Sequence, residues 1–355
     1  MSAVRAGRSG LDADVIVVGG GPVGLAAAIE SRLAGWETVV VEPRDGDIDK
    51  ACGEGLMPGT LAALHRLDVD PEGHVLAGIS YRHDGRHVDH RFRSGQGRGV
   101  RRTTLHAALR RRAADLGVTW LRRRVDGLVV SDGAVEAAGL RARWLLGCDG
   151  LHSDVRRLAG LAEATSQPVL GRLRAPERFG LRRHFVTSPW SDLVEVHWGP
   201  TAEAYVTPVA DGLVGVALLG PRGGGFGQVL AQFPELAARL ADAEPAGPVR
   251  GAGPLRQRTR ARTAGPVRLV GDASGYVDAL TGEGLRVGLA QARAAVATLD
   301  DAPAYERAWS TATRDYRVLT TGLVGWATSP VRGAVVPAAV RSPALFAAVV
   351  ERLAR

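Results

Sequence analysis

The sequence predicts an α/β protein. A parallel-sheet domain is interrupted by a mostly antiparallel β domain and followed by a helical C-terminal segment. Three observations lead there. Residues 14–42 read as strand, glycine turn, helix and strand, which is the opening of a parallel sheet. Residues 192–220 carry three strand-like runs separated by Gly-Pro and Asp-Gly turns, the pattern of an antiparallel meander. Residues 267–297 return to a buried strand, a glycine loop and a long helix.

Taken in order, residues 1–11 read as a disordered leader. A buried strand is expected at Asp14–Val18, a helix at about Pro22–Ala34 and a second strand at Glu37–Glu42. Residues 100–116 read as helix, with Leu105 and Leu109 four apart. Strand patterns follow near 118–131 and 143–148. The tail from about 303 is helical, rich in Ala, Val and Arg, and interrupted by Pro330, Pro337 and Pro343. The expected division is a discontinuous first domain at 12–75, 98–160 and 255–300, a β domain at 76–97 and 161–254, and a helical segment at 301–355.

Composition narrows the function classes. The chain has 355 residues, enough for more than one core. Its net charge is +8, yet Lys50 is the only lysine among 45 basic residues. The arginines are scattered and aromatics are few, so a nucleic-acid partner is not expected. An anionic cofactor, substrate or membrane surface accounts for the excess as well. Two cysteines, Cys52 and Cys148, make neither a disulfide framework nor a zinc site, and no metal is expected. No secretory signal and no uninterrupted apolar run of membrane-spanning length is recognised, so the expected location is the cytoplasm.

The chemistry concentrates in glycine motifs. Gly19-Gly20-Gly21-Pro22-Val23-Gly24 is a G-x-G-x-x-G placed between a strand and a helix. Gly19 permits the turn, Gly21 lets a pyrophosphate approach, and Gly24 lets the helix pack on the strand. Pro22 starts the helix, whose N-terminus attracts phosphates. Glu42 ends the next strand, where an acid takes ribose hydroxyls. Asp149-Gly150 and Gly271-Asp272 each follow an apolar strand. Gly282-Glu283-Gly284-Leu285 opens the last long helix, and Gly53-Glu54-Gly55-Leu56 repeats it.

Together these motifs resemble flavin-dependent oxidoreductases of the group A monooxygenase and geranylgeranyl reductase superfamily. The resemblance rests on Gly19–Gly24, on Gly147-Cys148-Asp149-Gly150-Leu151-His152-Ser153-Asp154-Val155-Arg156, and on Gly271-Asp272. It implies a Rossmann-like FAD-binding domain of the glutathione reductase type and an inserted β domain for substrate. It implies FAD at Gly19, Gly21, Pro22, Gly24, Glu42, Arg44, Arg102, Asp149, Gly150, Gly271 and Asp272. It places the amides of Gly282, Gly284 and Leu285 by the flavin pyrimidine edge. "ACGEGLMP" resembles the cysteine-glycine loop of the reductase branch, which puts Cys52, Gly53 and Gly55 near the flavin ring. A buried space-filling role for Cys52 is the alternative.

No second G-x-G-x-x-G is apparent, so NAD(P)H is expected as a transient reductant beside Asp149-Gly150, with Arg44 or Arg156 available to a 2′-phosphate. The reaction implied is oxygenation of a small apolar molecule, aromatic or derived from a polyketide, as in secondary metabolism. The alternatives are reduction of an isoprenoid or other C=C bond, and a flavin-binding protein without chemistry. A halogenase is disfavoured because its Trp-x-Trp-x-Ile-Pro signature is absent. Cys52 and Glu54 are the catalytic candidates, and Glu283 is a second carboxylate flanked by glycines. His197, Trp198, Tyr205 and Pro208 are the candidate substrate wall, although strand alternation must turn some of them outward. The C-terminal segment is read as a helical cap on the FAD domain, with a lid over the pocket or a membrane contact as alternatives.

Overall fold

The computed structural model describes residues 10–163 and 177–355. Residues 1–9 of the expected leader, and 164–176 of the expected β domain, lie outside the described residues. The chain opens with β1 (Ala13–Val18), α1 (Pro22–Leu33) and β2 (Thr38–Val41). Val15, Ile16 and Val17 are fully buried, as a strand covered on both faces requires. A junction of β3 (Gly55–Leu56), α2 (Pro58–His65) and β4 (His74–Leu76) leads to the hairpin β5 (Gly78–His83) and β6 (Arg86–Arg91). Then come β7 (Gly97–Gly99), α3 (Arg102–Asp115), β8 (Thr119–Leu121), β9 (Leu128–Ser131), β10 (Ala134–Ala137), β11 (Leu140–Gly147) and α4 (Asp154–Leu158). The single strand pattern expected at 118–131 is thus two strands with different neighbours.

The meander follows as β12 (Arg178–Val186), β13 (Leu193–Trp198), β14 (Glu203–Ala210) and β15 (Leu213–Pro221). Short helices α5 (Phe226–Leu230) and α6 (Pro234–Arg239) precede β16 (Glu244–Ala252), β17 (Thr263–Ala264) and β18 (Val267–Leu269). The chain closes with α7 (Gly284–Ala297), α8 (Ala302–Ala327), α9 (Val335–Arg341) and α10 (Pro343–Ala354). Pro337 falls in the first turn of α9, where no helical N–H is needed, and so does not break it.

Two large sheets result. The first runs β17-β18-β11-β1-β2-β8, with β10 and β9 attached to β11. β18, β11, β1, β2 and β8 are parallel. The second runs β16-β12-β15-β14-β13-β5-β6 and is antiparallel except at β13–β5. A small sheet, β3-β7-β4, lies at the junction.

Register assigns the faces of the second sheet. Paired residues share a face, and neighbours along a strand alternate. Arg182, His184, Ala217, Gly215, Tyr205, Thr207, Val196 and Trp198 lie on one face. Phe185, Ala204, Val206, Val216 and Leu218 lie on the other, which α5 and α6 cover with Phe226, Phe233 and Leu236.

The C-terminal segment is more than a cap on the first domain. α8 packs against α7 and β17, but α9 lies on β5 and β6, and α10 touches α2 and β6. Val335 and Val336 pack with Val196 and Trp198, and Phe346 lies 4.9 Å from the Tyr81 ring. Among the described residues no single helix is long and apolar enough to cross a membrane.

One of the tightest backbone approaches lies at the glycine turn. A Cβ at Gly24 would stand 1.8 Å from the Gly19 carbonyl oxygen. Gly24→Ala is therefore expected to push α1 off β1 and cost at least about 1–3 kcal/mol. A thermal melt shifted downward by several degrees checks this; an unchanged melt contradicts the packing role.

Candidate active site and cofactor cleft

Each glycine of the first motif sits where its role demands. Gly19 has φ +102°, and a Cβ there would meet the Cys148 carbonyl oxygen at 2.6 Å. A Cβ at Gly21 would meet nothing within 4 Å, so this position opens onto the cleft at the N-terminus of α1. Gly20 is pinned on both sides of its own residue. Its N–H donates to Glu42 Oε2 at 2.8 Å, and its carbonyl faces His106 Nε2 at 2.9 Å. His106 is fully buried on α3, four residues after Arg102. The sequence reading missed it, although that i,i+4 spacing puts it on the Arg102 face of the helix.

Glu42 is 1% exposed at the end of β2 and takes a two-pronged bond from Arg44, at 2.7 and 2.9 Å. Burial pushes its pKa up, but the Arg44 bond, the Gly20 and Arg44 amides and the Arg44 charge outweigh that and hold it below the usual carboxylate range. Lys50, also missed as a site residue, enters the same cleft. Its Nζ is 3.2 Å from where a Gly150 Cβ would stand. Burial lowers its pKa first and repulsion by Arg44 and Arg102 lowers it further, while Asp272 and Glu42 act the other way. Asp272 lies in the single turn Gly271–Ser274, its pKa raised by burial against the pull of Lys50 and Arg102. The Arg102 Nε is buried without a partner among the described residues, and its Nη1 is 3.9 Å from Cys52 Sγ. Three cations and two acids thus surround an open glycine turn. That set fits a dinucleotide with a pyrophosphate at its centre.

Other predicted residues have structural employment. Asp149 accepts from Ser153 Oγ at 2.5 Å and from the Val155 N–H at 3.0 Å, so its side chain organises α4. Gly150 keeps φ +84° beside Lys50. Arg156 is 7% exposed and donates to the carbonyls of Ala273 and Leu151 and to Gln257. It is a clamp between two cofactor loops, with three of its five N–H donors engaged there. Gly271 gives its N–H to Gln291 at 2.6 Å and packs on Val23. The Leu285 side chain joins the core under α1.

The two Gly-Glu-Gly-Leu stretches share a design. Gly53 and Gly282 open onto free space, with nothing within 4 Å of a Cβ. Gly55 and Gly284 are tight, against Met57 at 3.1 Å and Tyr276 at 3.2 Å. Gly55 therefore faces the core rather than the cleft. Both glutamates turn inward. Glu283 bonds Arg286 Nε at 2.9 Å, and its pKa is raised by burial despite Arg286. Glu54 has φ +59° and is 3% exposed. Its Oε1 accepts the Arg102 N–H at 2.8 Å and its Oε2 lies 2.6 Å from His184 Nε2.

Arg182 fixes the protons of that pair. A guanidinium can only donate, so at 3.0 Å it makes His184 Nδ1 the acceptor. Nε2 then carries the hydrogen and donates to Glu54. Arg182 continues to Asp49, which also takes Arg250 at 3.0 Å. Glu54 is therefore a strut between the cysteine loop and β12, with each carboxylate oxygen engaged by one protein donor.

The candidate substrate wall divides. Tyr205 and Trp198 lie on the sheet face that meets the Cys52 loop, where Thr207 Oγ1 donates to the Gly53 carbonyl at 2.8 Å. Tyr205 gives its hydroxyl to the Leu280 carbonyl at 2.7 Å. Trp198 is 3% exposed beneath the C-terminal helices. His197 and Pro208 point to the opposite face, His197 onto Glu195 and Phe233. Strand alternation separates them from the other two. A second tie was not expected: Arg178 bridges Glu203 at 2.6 Å and Asp278 at 3.0 Å, and Arg332 reaches Glu203 at 2.7 Å. It anchors the loop before Gly282 to β12, β14 and the C-terminal segment.

Comparison with known proteins agrees with this geometry. Residues 12–174 match the family described as FAD binding domain. Menaquinone reductase of Mycolicibacterium smegmatis (strain ATCC 700084 / mc(2)155) is 30% identical over 86% of this chain and 81% of its own length. A 3-(3-hydroxy-phenyl)propionate/3-hydroxycinnamic acid hydroxylase of Mycobacterium sp. (strain JLS) is 32% identical over 46% of this chain and 32% of its own. The crystal structure of a flavoprotein/dehydrogenase from Cytophaga hutchinsonii superposes with a TM-score of 0.78 at 19% identity, covering 96% of this chain and 92% of that one.

Two outcomes follow. Because the Glu42 pKa is depressed in the fold, its stabilising contribution is complete above the unfolded carboxylate pKa and is lost as pH falls through the lower folded value. Acid melts from pH 6 to 3 should show that loss, and Glu42→Gln should flatten it. Glu54→Ala leaves two buried donors unpaired and should cost about 1–3 kcal/mol and lower flavin retention, read as the ratio of flavin to protein absorbance. Full retention with an unchanged melt would contradict the strut.

Proposed function

The chain belongs to the FAD-dependent oxidoreductases of the group A flavoprotein monooxygenase superfamily, and from that premise we propose that it uses NAD(P)H and dioxygen to oxygenate a small apolar molecule, aromatic or derived from a polyketide. FAD, when bound, would supply the redox chemistry, hydride acceptance and electron transfer. The protein supplies position. Gly21, Pro22 and the α1 N-terminus would take the pyrophosphate, Glu42 the ribose hydroxyls, and Lys50, Arg102 and Asp272 the central part of the cofactor. The open glycines Gly53 and Gly282 leave room for its ring. Arg44 remains half-exposed and is the candidate for a 2′-phosphate.

The substrate belongs between the Cys52 loop and the sheet face that bears Tyr205, Thr207, Gly215 and Ala217. One observation carries the oxygenase reading: the acids and bases of that face are already committed. Arg178, Arg182, His184, Glu203 and Tyr205 each hold a partner within the protein. Oxygen transfer to an electron-rich ring needs little acid–base assistance, whereas reduction of a C=C bond needs a proton delivered to carbon.

A second reading has its own support. A relative matched over 81% of its own length is named a reductase, and Cys52 offers a thiol beside Arg102. The experiment separates the two. Substrate-dependent oxygen uptake with NADPH, and label from isotopic dioxygen in the product, are expected. Cys52→Ala should then leave oxygenation within about threefold. Anaerobic, NADPH-dependent saturation of a polyprenyl quinone, abolished in Cys52→Ala and without oxygen incorporation, would establish the reductase instead.

A further inference from the structure

A cavity of about 340 Å³ lies behind the Gly271–Ser274 turn, between α7, α8 and residues 256–262. Its lining shares Gly271, Asp272 and Gly284 with the cleft that carries the dinucleotide motifs but includes none of Gly19–Gly24, Glu42, Arg44, Lys50 or Cys52, so it adjoins that cleft from the far side of the turn. The volume suits a small organic molecule.

Its charge is unbalanced. Four guanidiniums line it, Arg256, Arg258, Arg262 and Arg317, against the carboxylates Glu163 and Asp272. Arg258 is 3.8 Å from Glu163, and Arg262 is 3.8 Å from Glu306. The Arg262 Nε is buried without a partner among the described residues. Arg262 lies over the Trp309 ring at 3.7 Å and Arg317 over the same ring at 5.4 Å. Stacking of this kind holds a guanidinium in plane while leaving its edge N–H groups for a ligand.

A hydroxyl points the same way. Thr313 is 2% exposed and lines the cavity, and its Oγ1 has no hydrogen-bond partner among the described residues. A buried hydroxyl left unpaired is costly unless something else satisfies it. We propose that this cavity binds a small anionic metabolite through a phosphate or carboxylate group, held by the forks of Arg256 and Arg317 and by a hydrogen bond with the Thr313 hydroxyl. Guanidinium forks match both oxyanions in two-pronged geometry. The ligand shares the Gly271-Asp272 wall with the cofactor cleft but uses none of the cleft's own cations.

The test uses FAD-saturated protein, which keeps probes out of the cofactor cleft. Inorganic pyrophosphate and citrate are titrated separately by calorimetry at constant ionic strength. Saturable binding of at least one is expected, weakened tenfold or more by Thr313→Val and by Arg317→Ala. Arg239→Ala, on remote α6, should leave it unchanged. Pyrophosphate alone binding assigns a phosphate ligand; citrate alone assigns a carboxylate. No saturable binding by either, or binding unchanged in both cavity variants, overturns the proposal.

Discussion

A carboxylate buried without water must find a partner, and most of this architecture follows from how Glu54 found one. Its side chain joins the cysteine loop, the start of α3 and the sheet strand that carries His184. Those three elements come from distant parts of the chain. Arg182 and Asp49 extend the tie to the surface. The Arg178–Glu203–Asp278–Arg332 cluster is the matching tie on the other side of the cleft. Each is a closed set in which desolvation is offset only while every member is present. The cost is large and the return is geometric: two sheets held at a fixed spacing around a cofactor.

The same logic explains the repeated Gly-Glu-Gly-Leu. In each copy the first glycine faces space, the glutamate is an inward anchor, and the second glycine clears a bulky neighbour. A glutamate flanked by glycines in a cofactor loop invites a catalytic reading. Here the first glycine of each copy leaves open space, and the acid is bonded to the scaffold.

The first sheet was legible because its strands are buried on both faces and its turns are glycine motifs of fixed spacing. The order Gly19–Gly24, Asp149-Gly150, Gly271-Asp272 marked an expected cofactor cleft, and Lys50 stands beside Gly150 and within electrostatic reach of Asp272. The meander at 192–220 was legible from its turn residues. The face of each wall residue was not, since one-residue register decides whether His197 or Trp198 points inward. The ties were also illegible. Nothing local marks His184 as the partner of a residue 130 positions away, or Arg178 as the anchor of Asp278. His106 and Lys50 were readable in principle, one from its helical spacing to Arg102 and the other from being the only lysine.

That singular lysine gives the molecule a chemical simplicity. Amine-selective reagents find one side chain to modify, and it stands at the cleft between Gly150 and Asp272. Acylation of this one side chain, read in its own peptide apart from the chain's α-amine, is therefore a footprint of cofactor occupancy. The same scarcity leaves the outer surface almost inert to lysine-directed cross-linking and immobilisation. Its many guanidiniums keep it cationic while offering such reagents no amine.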